Sequence, residues 1–160
     1  MADEGIGRNI MTTAETKLLF PGLAGFYASW RDIAYTAMRV IIGYILLMHG
    51  WLKVGTFGLA GVSGLMAKSG LEPAAAFAVA AMFLETVGAI CIIVGLFTRF
   101  FAAALAIELL IGLLAVHLKA GFSVSNGGYE YILLLGIVMF AIAIRGGGPY
   151  SVDRLIGKEL

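Results

Sequence analysis

Residues 74–119 decide the fold, and they read AAAFAVAAMFLETVGAICIIVGLFTRFFAAALAIELLIGLLAVHLK. The segment contains two apolar runs joined by a very short predicted turn at residues 98–99. Each run is long enough to cross a bilayer, which takes about 20 apolar residues at roughly 1.5 Å rise per residue. Glu85 lies near the middle of the first run and Glu108 near the middle of the second. A carboxylate at that depth is costly unless it is paired, protonated or hydrated, so both glutamates are candidate functional residues.

The composition of the whole chain places it in a membrane. Of its 160 residues, 61% are hydrophobic and 13% are charged. A soluble domain of this size has too little interior to hide that much apolar surface. A formal net charge of +1 argues against a nucleic-acid partner. The single cysteine, Cys91, excludes an internal disulfide and a cysteine-based metal cluster, and no other metal motif is present, so no metal is expected.

The apolar segments predict an all-α integral membrane protein, a four-helix transmembrane bundle within residues 33–145. The predicted spans are residues 33–52, 74–97, 100–118 and 129–144. Before them, residues 1–32 are predicted to form a polar tail and an interfacial segment. The interfacial part, residues 18–30, is apolar and aromatic but is interrupted by a proline and two glycines. After the spans, residues 146–160 are predicted to form a cytoplasmic tail.

The distribution of lysine and arginine predicts the orientation. Four spans place both termini on the side of the turn at residues 98–99. That side holds Arg8, Lys17, Arg31, Arg99, Arg145, Arg154 and Lys158, and the other side holds Lys53, Lys68 and Lys119. Positive charge marks the cytoplasmic side, so both termini are expected in the cytoplasm and the bilayer is expected to be a cytoplasmic (inner) membrane. No secretory signal is recognised, so the first span is expected to act as the targeting signal.

Depth places three charged residues inside the bilayer. Arg39 lies in the cytoplasmic half of the first span, and Glu85 and Glu108 lie near the midplane. We expect an ion pair between Arg39 and one of the two glutamates. The second acid then holds a proton at neutral pH and could pass it on. The alternative is that the ion pair only sets helix register and packing.

Further polar residues gather toward the outer surface, and they are candidates for ligand binding. They are His49, Lys53, His117 and Glu130. A pocket between helices with a few converging polar groups is a common form of small-molecule site. Each residue also has an ordinary interpretation: the histidines as interfacial residues, Lys53 as a side chain that reaches the headgroups, and Glu130 as a helix-stabilising acid in the first turn of the fourth span. His117 and Glu108 fall on opposite sides of an ideal helix. No residue is singled out as catalytic.

These residues resemble the motifs of the DoxX family of small four-helix membrane proteins. The matching pieces are Arg39 with HGxxK at 49–53, ExxG at 85–88, GLFTR at 95–99, His117 before GF at 121–122, NGGxE at 126–130 and GGGPYSxD at 146–153. They occur in order and cover residues 36–153. Glu108 is not part of this pattern, so its candidacy rests on depth alone.

The resemblance implies a four-helix bundle and an association with membrane redox systems, because the family is named after a subunit of a quinone-linked oxidoreductase. The first hypothesis is a subunit of such an oxidoreductase that contributes a quinone or small-molecule pocket and a proton route. No intrinsic cofactor is expected. Under the first hypothesis, the cofactor that the pocket would bind is a quinone. The alternative is a non-catalytic accessory or assembly subunit that packs on a larger membrane complex. A small proton-coupled transporter is a third hypothesis. The expected partners are the bilayer and a larger membrane complex or a second copy of the chain.

Overall fold

The structure, a computed structural model, describes residues 17–159 and confirms the all-α membrane architecture. The α-helices are α1 (Ala24–Leu52), α2 (Gly58–Lys68), α3 (Ala74–Phe83), α4 (Ala89–Val94), α5 (Thr98–Gly112), α6 (Glu130–Arg145) and α7 (Val152–Ile156). Three helical segments are long and apolar enough to cross a bilayer, namely Pro21–Lys68, Ala74–Val94 and Thr98–Ala120. α6 is the fourth helix of the bundle and packs along α5. No strand occurs within residues 17–159.

Wide π-helical turns interrupt three of the long helical segments. Lys53–Phe57 continues α1, Leu84–Gly88 joins α3 to α4, and Leu113–His117 continues α5. After the first of these turns, Gly58 adopts a left-handed φ of +62°, and the chain leaves the direction of α1. α2 then packs against α3. Residues 58–68, between the first two spans, are therefore helical.

The first helix begins earlier than predicted, at Ala24 rather than at residue 33. Pro21 opens a short 3₁₀ turn, where the missing N–H is not needed, and the helix continues directly from that turn. A lone glycine at position 25 lowers helix stability by only about 1 kcal/mol, so it does not interrupt the helix. Residues 17–31 are exposed. Part of the predicted interfacial segment is thus an extension of α1 beyond the packed bundle.

The turn between the second and third spans lies at residues 95–97 rather than at 98–99. Gly95 and Phe97 both adopt left-handed backbone conformations, with φ of +75° and +48°. A methyl group on Gly95 would lie 2.5 Å from Cβ of Ser151 and 2.8 Å from Nη1 of Arg39. Position 95 therefore requires glycine both for its backbone angle and for the close packing of later residues against it.

The core of the bundle is apolar and is shared by α1, α4, α5 and α6. Its fully buried members include Leu46, Ala89, Ile92, Ala102, Leu105, Met139 and Ile142. Gly43 allows α1 to approach α4, because a methyl group there would lie 2.8 Å from Cγ1 of Ile93. Small residues of this kind let membrane helices pack backbone against backbone, where van der Waals contact drives association.

Gly50 marks the closest approach of α1 to the π turn at Leu84–Gly88. A methyl group on Gly50 would lie 2.3 Å from the carbonyl oxygen of Glu85 and 2.5 Å from its carbonyl carbon. Backbone atoms of a packed helix cannot move aside as the end of a flexible side chain can. We expect Gly50→Ala to lower the free energy of unfolding by about 3 kcal/mol, because the two helices must separate.

Gly64→Ala is the matched control for this prediction. Gly64 lies in α2, and an added methyl group there meets nothing within 4 Å. Alanine is a better helix former than glycine, so this variant should be neutral or more stable by about 0.5–1 kcal/mol. Unfolding of both variants in mixed micelles measures the difference. Equal stability of the two would contradict the close approach at Gly50.

Residues 146–159, within the predicted tail, pack against the bundle. Ser151 and Asp153 are buried, and α7 lies within this segment. The Tyr35 hydroxyl donates a hydrogen bond to the carbonyl oxygen of Gly146. Arg145 stacks over the ring of Tyr35 with its guanidinium carbon 3.9 Å from the ring centroid. The segment after α6 is therefore part of the folded unit.

Candidate functional site

Three charged side chains from three helical segments meet inside the bundle. They are Lys53, Glu85 and Glu108, and we call them the Lys–Glu cluster. Lys53 Nζ forms a salt bridge with Oε1 of Glu85 and lies 4.0 Å from Oε1 of Glu108. The side chains are 22%, 7% and 19% exposed, respectively. Two carboxylates therefore share one ammonium group beside the apolar core of the bundle.

The π-helical turns lie close to this cluster. Lys53 is the first residue of one turn, Glu85 lies inside the second, and Glu108 precedes the third on the same helical segment. π turns are rare, change the direction of the side chains that follow them, and occur frequently at functional sites. Lys53 points toward the two glutamates inside the bundle. Glu85 is held against α1 by the close approach at Gly50.

Each carboxylate of the Lys–Glu cluster has one oxygen without a hydrogen-bond partner. Oε2 of Glu85 and Oε2 of Glu108 are buried and have no partner within the described residues. An unsatisfied buried oxygen is costly, so a proton or a donor from another molecule is expected there. Two carboxylates and one ammonium sum to a charge of −1, and one added proton makes the group neutral. The cluster has the composition of a site that holds one exchangeable proton.

Arg39 does not pair with Glu85 or Glu108, so the predicted ion pair is wrong. Its guanidinium is buried and donates hydrogen bonds to the carbonyl oxygens of Ile92 and Ile93, the latter at 2.9 Å. A third bond of 2.7 Å reaches the carbonyl oxygen of Tyr150. The last carbonyl groups of a helix have no N–H donor within the helix, and α4 ends beside Arg39. Arg39 therefore caps α4, and the cation of the acid cluster is Lys53.

The other predicted outer residues lie outside the Lys–Glu cluster. His49 is exposed, and its ring centroid lies 6.3 Å from that of Tyr131. His117 Nδ1 is 2.7 Å from the carbonyl oxygen of Gly127, and Oε1 of Glu130 accepts a hydrogen bond of 2.7 Å from the backbone N–H of Val124. His117 and Glu130 thus hold the loop between α5 and α6. Their proposed role in ligand binding stays a prediction.

A second buried polar group, centred on Asp153, was not anticipated. Oδ1 of Asp153 accepts a hydrogen bond of 2.7 Å from the Phe97 N–H. Oδ2 accepts bonds of 2.9 Å and 2.6 Å from the backbone N–H and hydroxyl of Thr98. The first N–H groups of a helix have no intrahelical acceptor, so Asp153 caps α5 from a distant part of the chain. The sequence signal was the aspartate that ends the GGGPYSxD motif, but the motif alone does not reveal its partner.

Arg99 joins residues 146–159 to the end of α6. It donates hydrogen bonds to the carbonyl oxygens of Ala143, Ile144 and Arg145, which are the last carbonyls of that helix. Its Nε lies 2.6 Å from Oε2 of Glu159. These bonds, with those of Arg39 and Asp153, fasten three helix ends and the following segment into one layer.

An apolar groove of about 620 Å³ runs along the outside of α5 and α6. Its lining includes Phe100, Ile107, Leu110, Ile137 and Phe140, with Arg99 at one end. Helical spacing of 100° per residue places Glu108 on the opposite face of α5 from the centre of this groove. The groove and the Lys–Glu cluster are therefore separate features.

The fold and the cluster define a small multi-pass membrane protein whose four-helix bundle encloses one lysine and two glutamates. The family model described as DoxX matches residues 34–118, and the chain belongs to the DoxX family. An uncharacterized protein of Haemophilus influenzae is 28% identical over 134 residues, which are 81% of this chain and 96% of the relative. A second uncharacterized protein of that organism is 31% identical over 78 residues, 49% of this chain and 52% of the relative. No solved structure matches the chain.

Proposed function

We propose that this DoxX protein is a membrane subunit of a quinone-linked oxidoreductase and that the Lys–Glu cluster exchanges the protons of the reaction. The observation that carries the proposal is the sharing of Lys53 by two buried carboxylates, each with an unpartnered oxygen. Membrane redox chemistry of this type needs an acid at membrane depth that can both donate and recover a proton. The naming of the family after a subunit of such an enzyme adds support.

The residues of the cluster suit a quinone by their chemistry. A bound quinone would supply the redox step, accepting two electrons and two protons overall, and the electrons would come from a redox centre in a partner protein. Lys53 offers an ammonium donor of the kind that a carbonyl oxygen accepts. Glu85 or Glu108 offers a carboxyl group that delivers one proton and regains one from water, so the cluster would act once for each proton.

A non-catalytic accessory subunit is the second candidate, and the groove along α5 and α6 favours it. Ala103, Ala106, Gly136 and Ala143 line this groove together with larger apolar side chains. Small residues on a membrane-facing surface allow another transmembrane helix to pack closely. This function predicts a constant protein partner and no bound small molecule.

Native mass spectrometry of the protein, released from its own membrane into lipid particles, tests the two functions together. We expect a quinone mass on the wild-type protein, its loss in Lys53→Ala, and its retention in Lys68→Ala. Lys68 is the matched control because it is an exposed lysine on α2, outside the cluster. A stoichiometric protein partner without any quinone would support the accessory function and contradict a quinone site.

Turnover in the intact complex tests the proton role separately. We expect Glu108→Gln to lower quinone-dependent turnover by about 100-fold, because removal of a general acid–base group costs roughly 10²–10⁴ in rate. Glu72→Gln serves as the control, since Glu72 is exposed and its carboxylate accepts a hydrogen bond from the backbone N–H of Ala74, outside the cluster. Unchanged turnover in Glu108→Gln together with Glu85→Gln would show that the cluster does not handle the protons of the reaction.

A further inference from the structure

We infer that the Lys–Glu cluster exchanges its proton only with the water at one end of the bundle. That end carries the loop between α5 and α6 and is called the loop end. The opposite end carries the turn at residues 95–97 and the packed residues 146–159 and is called the terminal end. The inference rests on the proton-carrying role proposed above and adds the direction from which protons reach the site.

Lys53 brings the cluster to the loop end of α1. Lys53 directly follows the last residue of α1 at this end, and the side chains of Lys53 and Glu108 are each about one-fifth exposed. The neighbouring residue Trp51 is exposed, as is usual for tryptophan at a membrane–water interface. Titratable groups occur at this end on α1, on the turn that continues α5, and on α6, namely His49, His117, Glu130 and Tyr131. Polar side chains therefore lie at the same end of the bundle as Lys53.

An apolar layer separates the cluster from the terminal end. It is formed by Leu46, Ala89, Ile92 and Leu105, each exposed by 1% or less. The buried polar side chains of the described chain are Glu85 within the cluster and, at the terminal end, Arg39, Thr98, Ser151 and Asp153. Seven residues of one helical segment, or about 10 Å, separate Glu85 from Ile92, whose carbonyl oxygen binds Arg39.

Proton transfer across this layer lacks a carrier. Protons move along hydrogen-bonded waters or side chains, and water enters a buried site only where two or more polar partners hold it. The half-buried thiol of Cys91 packs against this layer, but one thiol does not bridge 10 Å. At the terminal end, both oxygens of Asp153 already accept hydrogen bonds, and arginine does not release its proton in proteins. Protons that the cluster uses are thus taken from, and returned to, the loop end.

Infrared difference spectroscopy on sided proteoliposomes tests this inference. Orientation is established in a Cys91→Ala background with two exposed reporter sites, Ser125→Cys at the loop end and Leu155→Cys at the terminal end, labelled by a membrane-impermeant maleimide. The carbonyl band of a protonated carboxylic acid is then followed after a pH jump on one side of the membrane. We expect the band to respond at least tenfold faster to a jump at the loop end.

The outcomes separate this inference from the proposed function. An equal or faster response to a jump at the terminal end would overturn one-sided exchange and leave the proton site intact. If neither Glu85→Gln nor Glu108→Gln removes a carboxylic acid band from the spectrum, the cluster does not hold the proton and the proton site itself is overturned. If the glutamine variants do not fold, Glu108→Asp keeps the acid and must shift the band. Failure to find a quinone by mass spectrometry would leave the direction of proton exchange unaffected.

Discussion

Lys53→Met is expected to destabilise the protein more than the double substitution Lys53→Met with Glu85→Gln. The single variant leaves the buried Glu85 carboxylate without its cation, whereas the double variant removes both charges of the salt bridge. Breaking a buried pair by removing one partner costs about 3–5 kcal/mol, and replacing both partners is often close to neutral. We therefore expect the double variant to recover roughly 2 kcal/mol of the loss.

Equilibrium unfolding in mixed micelles measures this recovery as the coupling energy of a double-mutant cycle. Glu108 stays in place in both variants, so its own contribution cancels. Lys68→Met is the control for loss of a lysine, and it should change stability by less than about 0.5 kcal/mol because Lys68 is exposed. Strictly additive effects of Lys53→Met and Glu85→Gln would show that the two side chains do not interact as the structure describes.

Asp153→Ala is the second substitution for which we expect a large effect. It removes the acceptor of three hydrogen bonds and leaves the part-buried backbone N–H of Phe97 and the buried one of Thr98 without partners. Hydrogen bonds to a charged group contribute about 1.5–3 kcal/mol each, and their contributions do not simply add. We expect a loss of about 3 kcal/mol and weaker protection of residues 146–159 from proteolysis.

Asp32→Ala is the matched control at the same end of the molecule. Asp32 is only partly buried, and its Oδ1 lies 3.5 Å from Nη2 of Arg145 and 3.9 Å from Nε of Arg31. Ion pairs at the surface contribute roughly 0–1 kcal/mol, so this variant should remain close to wild type. If Asp153→Ala were as stable as Asp32→Ala, the capping of α5 by residues of the C-terminal segment would be wrong.

Much of the fold follows from local sequence properties. Long apolar runs predict membrane helices because an unpaired backbone cannot enter hydrocarbon. The predicted fourth span at 129–144 agrees with α6 to within a residue at each end. The predicted boundary is less accurate at residues 95–97, where the backbone departs from the α-helix. That departure depends on packing against distant residues, as the close approach of Ser151 to Gly95 shows.

Three of the predicted candidates, Lys53, Glu85 and Glu108, meet in one cluster, but the sequence does not predict this pairing. Depth identifies the two glutamates as candidate functional residues, and Lys53 is among the candidates for the outer pocket. Helical spacing states how deep a residue lies and on which face, but it does not state which partner a long, flexible side chain reaches. Arg39 was therefore assigned to the acids, although the carbonyl groups at the end of α4 bind it.

The sequence by itself determined that this is a helical membrane protein of the DoxX type with two acids at membrane depth, because hydrophobic length and charge position are local properties. Only the tertiary structure decided that Lys53 is the shared cation, that Asp153 caps α5, and that residues 146–159 close one end of the bundle. Each of these contacts joins residues far apart in the chain. Their formation depends on how the helices pack and on which backbone groups remain unpaired at helix ends.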